Sequence, residues 1–179
     1  MDMKEKKIIG ERKFNGRLLQ IDVDTVLLPN GNISTREVAR HCDGVGILPI
    51  TKEGDVLLVR QYRYCFGKEL LEIPAGKMDI GGESPLESAT RELKEETGCT
   101  AGDIVELGNA LPSPGCFTEV LHLFLATDLE MGENNPDEDE FLELVRMPFS
   151  QAIQMVMDGE IEDAKSVMAI LKAARLLGY

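Results

Sequence analysis

The segment Arg91-Glu92-Leu93-Lys94-Glu95-Glu96 gathers three carboxylates and a guanidinium within six residues. At helical spacing, Arg91 and Glu95 are four apart with opposite charges, which supports a helix. Glu92 and Glu96 are also four apart but carry like charges, which costs a bare helix a few tenths of a kcal/mol. A bound cation reverses that cost. Carboxylate oxygens are hard ligands, so the metals this pair suits are Mg²⁺ or Mn²⁺. The plain alternative is a solvated helix face, the ordinary fate of Glu and Lys runs.

Positioning these groups requires the helix itself. Ser84-Pro85-Leu86-Glu87 supplies an N-cap serine, proline at the first helical position and glutamate at the third, a capping box. Gly98 ends the helix, and Leu86, Ala89 and Leu93 are expected to dock its apolar face on a sheet. Strand-like runs stand before it at Gly44–Thr51, Asp55–Tyr64 and Glu69–Ile73, and after it at Glu106–Leu111, Glu119–Thr127 and Phe141–Met147. Further upstream, Arg17–Leu28 alternates, with Leu19, Ile21, Val23, Thr25 and Leu27 on one face as in a half-buried strand. Turn signals Asn15-Gly16 and Asn30-Gly31 bracket it. Two more helices are expected near Gln151–Met157 and Asp163–Leu177, giving a mixed α/β fold.

Composition limits what such a site would bind. With 179 residues, 43% of them hydrophobic, the chain suits one compact domain, and its net charge of −13 repels nucleic acid and anionic membranes. A small phosphorylated substrate fits if metal cations neutralise the carboxylates around it. Cys42, Cys65, Cys99 and Cys116 are widely spaced, and the charged start Met1–Lys7 lacks a secretory signal, so a cytoplasmic protein with reduced thiols is expected. No apolar run approaches the ~20 residues of a membrane-spanning helix. His41 and His122 sit in no metal-ligand spacing and read as structural.

Taken together, these residues resemble the Nudix hydrolase family, whose motif is Gly, five residues, Glu, seven residues, then Arg-Glu-apolar-any-Glu-Glu-any-Gly-apolar. From Glu83 every position matches, through Arg91-Glu92-Leu93-Lys94-Glu95-Glu96-Thr97-Gly98-Cys99. One departure is that six residues, not five, separate Gly76 from Glu83, so Gly81-Gly82 looks like a one-residue insertion. Its glycines would absorb the extra residue at positive φ. The resemblance implies a Nudix-type α/β/α sandwich, classed as α/β with a mixed α+β sheet, and an N-terminal antiparallel β extension. Residues 1–40 would form that extension and a dimerisation region, and residues 41–179 the Nudix hydrolase domain.

Within the family, Leu57–Tyr64 and Glu69–Lys77 are similar to the segments that enter the motif in ADP-ribose pyrophosphatases, and Pro112-Ser113-Pro114-Gly115 to their substrate loop. Pro114, sixteen residues after Gly98, is the spacing that marks ADP-ribose in that subfamily. The implied substrate is thus a nucleoside diphosphate sugar, foremost ADP-ribose, cut to AMP and ribose 5-phosphate. GDP-mannose or another sugar nucleotide is the rival, and a non-catalytic ADP-ribose sensor the rival from a different class. By the same carry-over, Glu92 and Glu96 would ligate Mg²⁺ or Mn²⁺ with the Ala75 carbonyl, supported by Glu95. Arg63, Glu72, Gly76, Pro114 and Glu119 would bind substrate, and Arg91 would join Glu95 in the catalytic group. For Arg63 the plain alternative is a strand-end ion pair, and for Pro114-Gly115 a tight turn.

The acidic stretch Asn135–Glu140 stands where related enzymes carry a loop that supplies a base and a further ligand. The resemblance gives Glu138 as the base and Glu140 as a metal ligand, with a solvated loop as the alternative. There is no Trp, so adenine would stack on Tyr62, Phe14 or Tyr64. A homodimer is implied, in which Phe14 or Arg36 would reach the neighbouring active site. Neither nucleic acid nor membrane is an expected partner.

Overall fold

The structure is a computed structural model and describes residues 2–132 and 141–179. The chain divides into two compact units, Met1–Asp43 with Leu111–Val120, and Gly44–Ala110 with Leu121–Tyr179.

The first unit is built on an antiparallel sheet of β1 (Lys6–Asn15), β2 (Gln20–Leu27) and β3 (Ile33–Arg40), with β2 in the middle. The expected alternation in β2 is present, but its sense is inverted. Asp22, Asp24 and Val26 are the buried residues, whereas Ile21, Val23 and Thr25 are partly exposed and Leu27 is exposed. Cross-strand cations explain the inversion. Asp22 is bound by Arg12 and, at 3.1 Å, by Arg40; Asp24 lies 2.6 Å from Lys7 Nζ and 3.6 Å from Arg40 Nη2. The long stems of those cations cover the acids they pair with.

The second unit has three layers. Its middle consists of sheet β10-β5-β6 and sheet β7-β4-β9-β8. The strands are β4 (Gly44–Pro49), β5 (Asp55–Arg63), β6 (Lys68–Glu72), β7 (Ala75–Lys77), β8 (Thr100–Ala110), β9 (Leu121–Glu130) and β10 (Glu143–Pro148). Helix α1 (Pro85–Thr97) covers one side, and α2 (Phe149–Met157) and α3 (Ala164–Leu177) cover the other. All six residues of β4 are buried, as expected for a strand with helices on both faces. Its alternation sends Val45 and Ile47 to Ala89 and Leu93 of α1, and Leu48 to Phe149, Ala169 and Ile170. In β9, Phe124 and Ala126 join the first group and Leu123 and Leu125 the second.

Strand β4 runs parallel to β9, Gly44 opposite Leu121, and antiparallel to β7, Val45 opposite Gly76. That second pairing fixes the backbone of Ala75–Lys77, against which α1 packs. Two expectations need correction. Leu86 is exposed rather than docked, so Ala89 and Leu93 carry the apolar face of α1. Strand β8 begins at Thr100 rather than Glu106, because pairing with β9 carries the chain through Gly102-Asp103, residues with little strand preference of their own.

Candidate active site

Helix α1 begins as its sequence requires. The Ser84 side chain accepts from the Glu87 N–H, and the Glu87 carboxylate accepts from the Ser84 N–H at 2.8 Å. At its other end Gly98 adopts φ 73°, a left-handed conformation suited to glycine. Of the two glycines in the inserted loop, Gly82 takes the positive φ expected and Gly81 does not. Gly82 takes φ 89°, the Glu83 N–H donates to the Ile80 carbonyl at 3.2 Å, and Glu83 still reaches the helix.

What it reaches is Arg91. The guanidinium donates from Nε to Glu83 Oε1 at 3.1 Å, and from Nη1 to both Glu92 Oε1 and Glu95 Oε2 at 2.8 Å. Three carboxylates thus converge on one cation. Burial works against the charge on Arg91, but the hydrogen bond to Glu83 and the charges and bonds of Glu92 and Glu95 outweigh it and raise its pKa. Arg91 is therefore a fixed cation that orients the acids around it.

Glu92 and Glu96 are only 8% and 3% exposed, which rules out a solvated helix face for this pair. Each meets the β7 segment. The Ala75 N–H donates to Glu96 Oε2 at 3.1 Å, and a Cβ on Gly76 would overlap the Glu92 carboxylate. Glycine at position 76 thus leaves room for the Glu92 carboxylate, which any side chain there would displace, while φ is ordinary. Carboxylates held in like-charge proximity and shielded from water favour a hard cation, and the donor set fits a divalent metal of that kind. Among the described residues, no group of three or more His, Cys, Asp and Glu side chains is arranged to hold a metal. Glu138 and Glu140, assigned as base and ligand from the sequence, lie outside the described residues.

Arg63 and Glu72 engage each other. Arg63 Nε and Nη2 donate to the two Glu72 oxygens at 2.6 and 2.7 Å, a bidentate pair across the β5–β6 hairpin. Glu72 is also bound by Lys165 at the start of α3, and Lys165 donates to Asp163 at 2.9 Å. Burial alone would raise the Glu72 carboxyl, but bonds from Arg63 and the Lys165 charge outweigh it and hold the group below the usual carboxylate range. The hydrogen bond to Glu72 in turn raises Arg63. Asp163 caps α3 by accepting from the Ser166 N–H at 3.0 Å, while Ser166 Oγ accepts from the Ile73 N–H at 2.8 Å. Lys165 and Ser166 stand 93 residues from their partners, and sequence reasoning missed them. A signal was present: a lysine in the first turn opposes the helix dipole and calls for a carboxylate nearby.

Pro114 and Glu119 belong to the other unit. Pro114 is exposed in a turn where the Cys116 and Phe117 N–H groups donate to the Ser113 carbonyl. Glu119 Oε1 lies 3.5 Å from His41 Nδ1. Of the residues considered for stacking, Phe14, Tyr62 and Tyr64 are all exposed, and Arg36 is paired with Glu5.

The chain is similar to known proteins over most of its length. Residues 40–170 match the NUDIX domain family. The chain is 41% identical to the methanol dehydrogenase activator of Bacillus methanolicus, covering 93% of this chain and 90% of that one. It is 39% identical to the ADP-ribose pyrophosphatase of Bacillus subtilis, covering 94% and 91%. It is 38% identical to the GDP-mannose pyrophosphatase of Pectobacterium atrosepticum, covering 100% and 96%. A crystal structure of an ADP compounds hydrolase superposes with a TM-score of 0.86 at 26% identity, covering 98% of this chain and 95% of that one. The carboxylates that α1 turns toward β7 are those of the family motif, and the chain belongs to the Nudix family as a Nudix hydrolase.

Proposed function

We propose that the chain hydrolyses the diphosphate bond of ADP-ribose with Mg²⁺, releasing AMP and ribose 5-phosphate. The observation that carries this reading is the pair of buried carboxylates, Glu92 and Glu96, folded against Ala75 and Gly76 beside Arg91. The relative named an ADP-ribose pyrophosphatase, alike over nearly the whole chain, supports the substrate. The relative named a GDP-mannose pyrophosphatase keeps other nucleoside diphosphate sugars as a second reading.

Glu92, Glu96 and the Ala75 carbonyl would hold Mg²⁺, with Glu140 a further ligand. When bound, the ion neutralises diphosphate charge and makes a water molecule more acidic. Arg91 keeps Glu92 and Glu95 in their working orientation. Arg63, fixed by Glu72, offers guanidinium donors to phosphate oxygens. Glu138 accepts the proton of the attacking water as its oxygen bonds to phosphorus and the bridging P–O bond breaks. Gly76, Pro114 and Glu119 would complete substrate binding. Residues 1–40 would serve as a β extension for a homodimer, through the partly exposed apolar side of β2, and the protein would act in the cytoplasm. A sensor that binds without cutting would have no use for Glu92, Glu95 and Glu96 together.

Incubation with ADP-ribose, GDP-mannose and other sugar nucleotides, with Mg²⁺ or chelator, tests the reading. Preferential AMP release from ADP-ribose that chelator abolishes is the expected result. Faster turnover of another sugar nucleotide would replace the substrate but keep the chemistry, and tight ADP-ribose binding without turnover would favour a sensor.

A further inference from the structure

Segment 111–120 lies between β8 and β9 in sequence, yet it packs into the unit of the N-terminal sheet. The residues that hold it there alternate along both segments: Ala39, His41 and Asp43 against Cys116, Thr118 and Val120. The Ala39 N–H donates to the Cys116 carbonyl at 2.7 Å, and the Thr118 N–H donates to the Ala39 carbonyl at 3.1 Å. Thr118 Oγ1 accepts from the His41 N–H at 3.1 Å and donates to the His41 carbonyl at 3.3 Å. The Val120 N–H donates to Asp43 Oδ1 at 3.1 Å.

Between these backbone ties sits the His41 imidazole. Phe117 and Glu119, two apart on an extended segment, point to the same side, and both meet this ring. The Phe117 ring centroid is 5.2 Å away, and Glu119 Oε1 is 3.5 Å from Nδ1. His41 Nδ1 is also 2.7 Å from the Cys42 carbonyl oxygen. A carbonyl only accepts, so Nδ1 carries the proton and donates it to the Cys42 carbonyl in the neutral and the charged ring alike, while the Glu119 carboxylate stands beside the same nitrogen as a second, longer contact. The side chains of His41 and Glu119 are 9% and 16% exposed, so the pair is largely shielded from water.

We infer that His41 is a positioning residue for Glu119: its imidazole fixes the Glu119 carboxylate and, with it, the loop that carries Pro114. The inference rests on the proposed function, which gives Glu119 to the substrate. A carboxylate held in place beside the imidazole accepts hydrogen bonds from O–H and N–H groups, so the part of the substrate it serves is a donor, a sugar hydroxyl or a base amino group. His41 then acts on substrate affinity and not on bond cleavage.

The test compares wild type, Glu119→Gln, His41→Leu, His41→Asn and the Leu/Gln double variant by steady-state kinetics with ADP-ribose, and by amide hydrogen exchange at Thr118 and Val120. Leucine keeps bulk without a donor, whereas asparagine places an amide donor near the Nδ1 position. His41→Leu is expected to raise KM roughly fivefold, with kcat within about twofold, the size of one hydrogen bond lost from binding. His41→Asn should restore KM, and the double variant should be no worse than Glu119→Gln alone. A wild-type KM in His41→Leu or in Glu119→Gln, failure of asparagine to rescue, or additive effects would overturn the inference. If wild type cleaves no sugar nucleotide, the functional reading fails by itself. Hydrogen exchange then decides about His41: faster exchange in His41→Leu, slowed again in His41→Asn, supports the positioning role, and unchanged exchange in His41→Leu refutes it.

Discussion

Two sets of shielded acids in this chain are built on opposite principles. In β2, Asp22 and Asp24 are each met by two cations, drawn from Arg12, Arg40 and Lys7. The Arg12 hydrogen bond, with that of Arg40, holds the Asp22 carboxyl below its ordinary range. Glu72 follows the same rule, between Arg63 and Lys165. Around α1 the ratio is reversed among the described residues, because Glu83, Glu92 and Glu95 share the Arg91 guanidinium. Acids matched by protein cations stabilise a fold. Acids held together in excess of them are a liability until an external cation arrives, and such a liability marks function. Stability and activity should therefore respond in opposite ways in the two regions.

The largest effect is expected from Glu96→Gln. It should cut sugar-nucleotide hydrolysis on the order of 10³-fold, the upper scale for removing one group that stabilises transition-state charge. The glutamine oxygen still accepts from Ala75, and one of two like charges is gone, so urea unfolding of the metal-free variant should show no loss of stability. A marked loss would make Glu96 a structural acid like those of β2. Lys165→Met, from the matched class, should behave the other way, losing about 3 kcal/mol in urea unfolding because Glu72 loses one of its two cations. Wild-type stability would remove this network from the matched class.

Gly76→Ala tests the site's shape without touching a charge. A methyl group there displaces the Glu92 carboxylate, and a misplacement on that scale costs about 10²-fold in rate. Circular dichroism should show an intact fold, and full activity would mean that the cradle is incidental. Acid titration separates the classes through Glu72. Its folded pKa lies below its unfolded value near 4.5, so the unfolded chain binds the proton first as pH falls. The Glu72 contribution is complete above that value and is lost as pH drops through the folded pKa. Urea unfolding between pH 7 and pH 3 should show this loss in wild type and a smaller one in Glu72→Gln. The smallest effect is expected from Asp22→Asn, which should lower the thermal midpoint by a few degrees while the rate at saturating substrate is maintained.

The legible parts of this molecule are the local ones. Helix α1 could be read because its cap, its stop and its Glu92–Glu96 spacing are set within a few residues of one another. The Nudix motif extends that stretch, which is why the family could be read as well. What escaped depends on partners distant in sequence. Lys165 meets Glu72 across 93 residues, and nothing near Lys165 names its partner. Alternation in β2 gave the strand but not which side is covered, because cations on β1 and β3 make the polar side the shielded one. Strand β8 extends through Gly102-Asp103 on the strength of β9, which a local reading cannot weigh. Glu138 and Glu140 fall outside the described residues and keep only their sequence assignment.

The most direct measurement is AMP release from ADP-ribose by wild type and Glu96→Gln, each with Mg²⁺ and with chelator, alongside urea unfolding of both metal-free proteins. Loss of hydrolysis in the variant and in chelator, with no loss of stability, is the result expected if the excess acids of α1 exist for a cation. Hydrolysis that persists in Glu96→Gln, or a variant that unfolds more readily than wild type, would contradict it.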